Sequence, residues 1–289
     1  MTPPTQPPPN HDRGLEYDLA TLHRRRFLGL FTAAGFAAVA GCSADEQTAG
    51  TQTGTSTSAS TSASPSFSSS ATSGTTTSAA TDVDEIPQET GGPYPGDGSN
   101  GPNVLTQSGI VRSDITKSFG SASGVATGVP LSVELTVVDA GQDKALEGAA
   151  VYLWHCDAQG RYSLYSDGVT EENYLRGVQS ADGSGKVRFT TIFPAAYMGR
   201  WPHIHFEVYA SADEATKAGQ ITRTSQLALP KDVCSTVYAT DGYDGSAQNL
   251  SRTSLENDNV FGDDDGVHQL ATVTGDVTGG YVATLTVGV

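Results

Sequence analysis

From residue 130 onward the chain alternates. Leu131, Val133, Leu135 and Val137 are separated by Ser132, Glu134 and Thr136, which is the period of a strand with one face buried. Val187, Phe189 and Thr191 alternate with Arg188 and Thr190 in the same way, whereas Ala149 to Trp154 is a more continuous apolar run and predicts an inner strand covered on both faces. Further strands are predicted over Ile221 to Leu229, His268 to Val273 and Tyr281 to Val287, the last two separated by Thr274 to Gly280, where Gly275, Gly279 and Gly280 signal a turn. Only Pro230 to Tyr238 reads as helical, for about two turns. Short strands joined by glycine-rich turns predict an all-β domain over 85–289, a β-sandwich of mostly antiparallel strands.

Upstream this patterning disappears. Residues 43–84 are dominated by Ser, Thr, Ala and Gly, with almost nothing large to bury. Such a segment cannot offset the entropy of its own ordering and is expected to be a disordered tether. Residues 24–42 read RRRFLGLFTAAGFAAVAGC. The apolar part is about 15 residues, short for a bilayer span and right for a signal-peptide core. The arginines followed by Phe27 and Leu28 resemble a twin-arginine (Tat) signal, and Val39 to Cys42 resembles a lipobox. Residues 1–42 are therefore expected to be a Tat-like signal ending at Cys42, with the domain working outside the cytoplasm as a cell-surface lipoprotein or a secreted protein.

Charge narrows the partners. The whole chain carries 16 basic and 32 acidic residues, and removing residues 1–41 leaves 12 against 29. Nucleic acid and anionic lipid surfaces are poor partners for such a surface, so membrane contact is expected only through a lipid on Cys42. Cys156 and Cys234 are the other two cysteines. In an oxidising compartment they are expected to form a disulfide, two buried free thiols being the other reading.

Candidate chemistry concentrates in GRWPHIHFEV, 199–208. On a strand His203 and His205 point one way while Ile204, Phe206 and Val208 point the other. The pair reads either as a metal-binding pair or as the polar outer face of a strand. Tyr197 lies in the preceding loop and Tyr162 in the turn Asp157 to Ser163, both placed to reach a strand-borne histidine pair. The domain contains no P-loop, GxSxG or CxxC, and its GxGxxG match, Gly96 to Gly101, follows no predicted strand, so nucleotide, flavin and α/β-hydrolase chemistries lose their usual support. Asp263, Asp264 and Asp265 lack the spacing of a calcium loop and read as an acidic surface turn.

The segments GGPYPG (91–96), IVRSDI (110–115), LWHCDAQGRYSLYSD (153–167), NYLRGVQSADGSGKVRF (173–189), TIFPAAYMGRWPHIHFEVY (191–209) and TSQLALP (224–230) closely resemble the intradiol ring-cleavage dioxygenases. That resemblance implies one mononuclear non-haem Fe(3+) held by Tyr162, Tyr197, His203 and His205. Arg200 then faces the substrate, Gln226 matches the family's glutamine, and Tyr197 is the ligand that departs as substrate binds. Tyr165 competes with Tyr162 for its role, and GRYS favours Tyr162. The implied reaction takes a small aromatic diol and dioxygen and opens the ring between the hydroxyl-bearing carbons, giving a muconate-type diacid. His155 is read as a structural neighbour. Two other classes remain open: a binding module using Trp154, Trp201 and exposed tyrosines, and a zinc or copper enzyme on the same fold.

Overall fold

The computed structural model describes residues 83–289; the expected signal, lipobox and nearly all of the tether lie outside the described residues. Two sheets pack face to face. The first is five-stranded: β1 (Pro130–Asp139) pairs with β2 (Lys144–Ala145), β5 (Lys186–Ile192) and β9 (Gly280–Gly288), and β9 pairs with β8 (Thr272–Asp276). The second runs in the order β4 (Arg176–Ser180), β3 (Ala150–Trp154), β6 (His203–Tyr209), β7 (Ile221–Ala228). All pairs between these strands are antiparallel except β1 with β9, which run parallel from Leu131 opposite Tyr281 to Val138 opposite Gly288.

Alternation places the core. Leu131, Val133, Leu135 and Val137 of β1, with Val187 and Phe189 of β5, join Val151 and Leu153 of β3 and Ile204, Phe206 and Val208 of β6 in one buried cluster between the sheets. The opposite face of the second sheet is covered as well. Tyr152 and Trp154 of β3 and Tyr209 of β6 form a smaller cluster with Val104, Leu105, Ile110, Tyr162 and Tyr165. β6 is consequently buried along its whole length, so its histidine face opens onto a second, loop-built core.

Three local expectations need correction. β8 begins at Thr272 rather than His268, because residues 261–269 are spent in turns and Leu270 makes only an isolated bridge to Ala228. β4 was not anticipated, since RGVQS lacks a run of apolar or β-branched residues. The predicted helix is α2 (Lys231–Val237), and the described residues hold two further short helices, α1 (Ala212–Thr216) and α3 (Ser246–Leu250). α1 starts where Ser211 Oγ accepts from the Glu214 amide, an N-cap bond.

The expected disulfide is not formed: Cys156 and Cys234 are free, buried thiols. Cys156 packs in the loop-side cluster, its Sγ 3.6 Å from the Ala195 carbonyl, while Cys234 sits on α2 in the main core. Trp154 and Trp201 are buried at 0% and 3% exposure, which removes both from any docking surface. Asp263 to Asp265 form the expected surface turn, closed by the Gly266 amide on Asp264.

Candidate metal centre

β6 supplies two imidazoles whose partners set their tautomers. His203 Nδ1 lies 2.6 Å from the Trp201 carbonyl, a contact only an N–H can satisfy, so its Nε2 presents a lone pair. That Nε2 faces His205 Nε2 at 3.0 Å, with the rings at 81°. Two bare lone pairs cannot share such a contact, so either a cation lies between the two nitrogens or His205 carries a proton on Nε2, which leaves its Nδ1 an acceptor. That buried Nδ1 has no hydrogen-bond partner. His205 is held flat against Trp154, its register neighbour on β3, at 4.9 Å and 6°. On the other side Gly92, at φ +72°, comes so close that a Cβ there would lie 3.2 Å from His205 Cε1.

Two phenols complete the convergence. Tyr197 Oη is 3.2 Å from His203 Nε2, and Tyr162 Oη is 3.3 Å from Tyr197 Oη. Tyr162, His203 and His205 are 2 to 3% exposed, whereas Tyr197 is half-buried beside the exposed Met198. Burial pushes both imidazoles well below the usual histidine range, helped by Arg200 at His203 and by His203 at His205. Burial, then Tyr197, pushes the Tyr162 phenol well above its usual value. Without a cation all three are therefore neutral at pH 7, and a cation among them reverses that preference for the phenol. Among the described residues no group of three or more His, Cys, Asp and Glu is placed to hold a metal. The donor set that does converge is two imidazole nitrogens and two phenol oxygens.

Tyr165 faces elsewhere. Its hydroxyl donates to the Asn100 carbonyl at 2.9 Å and accepts from the Gly96 amide at 2.8 Å. The turn that aims Tyr162 is built on Asp157, which accepts from the Gln159 and Arg161 amides and pairs with the Arg161 guanidinium. Arg176 then locks it from β4. Its guanidinium, 1% exposed, donates to Ser163 Oγ and the Ser163 carbonyl, to the Pro95 and Tyr94 carbonyls, and to Tyr152 Oη. One buried cation thus joins the tyrosine turn to the segment that passes over His205.

Arg200 lies in the loop before β6, with Nη1 3.4 Å from His203 Nε2. Nη2 donates to Gln226 Oε1 at 2.6 Å, and Gln226 Nε2 in turn donates to the Thr90 carbonyl. Gln226 sits opposite His205 in the β6–β7 register. Burial works against the charge on Arg200, but Asp258 and the nearby phenols hold its pKa above the ordinary value. Asp258 was not anticipated, nor was the Arg176 fork. A lone aspartate in a stretch without strand periodicity carries no signal in one sequence. His155 is structural as expected: Nδ1 donates to the Cys156 carbonyl and Nε2 accepts from Thr191 Oγ1, and burial lowers its pKa to about 4.

Glu207 occupies the same face of β6, accepting from Tyr209 Oη at 2.7 Å. Burial, and then Asp97, pushes its carboxyl from the usual 4.5 up to about 8. Between those values the folded state holds a proton that the unfolded state has released, so stability falls as pH rises from 4.5 through about 8. Glu207→Gln mimics the neutral acid. The metal-free variant is expected to match wild type near pH 4.5 and to exceed it at pH 9 by on the order of a few kcal/mol. Urea unfolding across pH checks this, and parallel stability curves would refute it.

Residues 100–243 match the family model described as Dioxygenase. An intradiol ring-cleavage dioxygenase from Tetranychus urticae is 24% identical, covering 71% of this chain and 94% of that one, with a TM-score of 0.57. A second crystal structure of a dioxygenase is 25% identical over 71% of this chain and 93% of that one, with a TM-score of 0.55. The dioxygenase match and the two-sheet architecture agree, and residues 100–243 belong to a dioxygenase domain with the intradiol ring-cleavage fold.

Proposed function

We propose that this dioxygenase acts outside the cytoplasm on catechol-type aromatic diols, with Tyr162, Tyr197, His203 and His205 holding one Fe(3+). The observation that carries the reading is the convergence of Tyr162 Oη, Tyr197 Oη, His203 Nε2 and His205 Nε2 in successive contacts of 3.0 to 3.3 Å. Phenol oxygens are hard donors that, once ionised, favour a trivalent cation, and the set contains no thiolate or carboxylate. That composition speaks against zinc, and the burial of both tryptophans speaks against a binding module. The extracytoplasmic part of the reading rests on residues 1–42 alone.

Ferric iron held by these four residues would supply the Lewis acidity that activates a bound diolate toward dioxygen. The residues do the rest. His203 and His205 are held by the Trp201 carbonyl and the Trp154 ring, so neither imidazole has to reorganise. Tyr162 is anchored in a buried turn and stays fixed. Tyr197, the most exposed of the four, is placed to meet the incoming diol and take one of its protons on Oη. Arg200 Nη1 presents fixed positive charge where negative charge develops on the substrate. The reaction adds both oxygen atoms and consumes no reductant.

Iron-loaded protein is expected to be red to burgundy from tyrosinate-to-iron charge transfer. With catechol it should take up one dioxygen per diol and yield cis,cis-muconate. A colourless iron-loaded protein that takes up no oxygen across a panel of catechols would overturn the reading.

A further inference from the structure

Arg200 is held from a part of the chain beyond the family match. Asp258 lies in the turns that follow α3, outside residues 100–243, and its side chain is fully buried. It accepts from Arg200 Nε at 2.9 Å, from Arg200 Nη2 at 3.3 Å and from the Trp201 amide at 2.6 Å. Its other bonds come from its own turn, where Oδ1 accepts from the Val260 and Phe261 amides.

We propose that Asp258 is a positioning residue that fixes which edge of the Arg200 guanidinium faces the reacting centre. The proposal rests on the reading that Arg200 faces substrate. A guanidinium has two hydrogen-bonding edges, Nε with Nη2 and Nη1 with Nη2, and the torsions of its stem decide which of them faces a given neighbour. Asp258 occupies the Nε and Nη2 edge, and Gln226 takes Nη2 as well. Nη1 is left turned toward His203 Nε2. Gln226 alone would hold one nitrogen and leave the plane free to turn. The Trp201 amide bond reinforces the arrangement, because the same residue's carbonyl orients His203. One carboxylate therefore sets both the arginine and the backbone that tunes the adjacent imidazole. It also places a negative charge against a buried positive one, which would otherwise stand unpaired beside a cation site.

Asp258→Asn tests this, since the amide oxygen can still accept from the turn while the ion pair is lost. In iron-loaded protein kcat on catechol is expected to fall roughly 10- to 100-fold with KM and the charge-transfer band little changed. In an Arg200→Gln background the same replacement should cost much less than in wild type, because the route through the arginine is gone and only the Trp201 amide contact remains to be lost. A full-sized loss in that background, or a kcat near wild type for Asp258→Asn alone, would overturn the proposal.

A second measurement needs neither variant nor iron. In metal-free wild-type protein the Arg200 Nε–H should give a slowly exchanging guanidinium NMR signal, and exchange at the rate of free arginine would overturn the proposal. If iron-loaded wild type proves colourless and inert, the reading of the reaction fails, and this signal still decides whether Asp258 holds the arginine.

Discussion

Tyr162→Phe is expected to lose most of the visible charge-transfer band of iron-loaded protein and to lower kcat at least about 100-fold, while Tyr165→Phe keeps both. The two tyrosines are three positions apart in one turn, yet their hydroxyls have different surroundings. Tyr162 Oη meets Tyr197 Oη, and the Tyr165 hydroxyl is engaged by Asn100 and Gly96. Removing the Tyr165 hydroxyl should cost only about 1 kcal/mol, as expected for one buried hydrogen-bonding group. Absorption spectra, oxygen uptake and urea unfolding on the two variants separate the cases. A bleached Tyr165→Phe with an intact Tyr162→Phe would reverse the assignment.

The largest expected effect on stability belongs to Arg176. Its replacement by alanine should cost about 3 to 5 kcal/mol. The buried guanidinium serves the carbonyls of Tyr94, Pro95 and Ser163 and the hydroxyls of Ser163 and Tyr152, and alanine leaves those acceptors without it in a dry site. Arg176→Lys should recover little, because an ammonium cannot span the fork. Unfolding in urea measures the cost, and a loss below about 1 kcal/mol would show that water or neighbouring donors take over. The loosened turn should also weaken iron retention, since Arg176 ties Tyr162's turn to the segment against His205.

Much of this fold is legible in the chain because sheet burial writes itself as period two. β1 and β5 each present one face to the core, and their alternation holds from Pro130 to Val137 and from Lys186 to Thr191. β3 is covered on both sides and reads as a solid apolar run. β4 escapes because Arg176 and Gly177 are buried by hydrogen bonding and close packing rather than by apolarity. A Cβ on Gly177 would meet Ile115 at 2.5 Å.

The candidate site divides in the same way. His203 and His205 announce themselves by adjacency on a strand, and the tyrosines by the motifs around them. Asp258 and Arg176 act through contacts between distant segments, 58 residues for Asp258 with Arg200 and up to 82 for Arg176 with Tyr94. Such contacts leave no local pattern. The cysteine expectation failed for a related reason, because a count of two says nothing about which cluster each side chain joins.

The free thiols carry one more consequence. Burial pushes both thiol pKa values up, and no covalent bond between them has to form before the sandwich closes. The native state is therefore reached without an oxidant or an isomerase. On the proposed extracytoplasmic route, folding of this domain would then depend on no disulfide chemistry in either compartment.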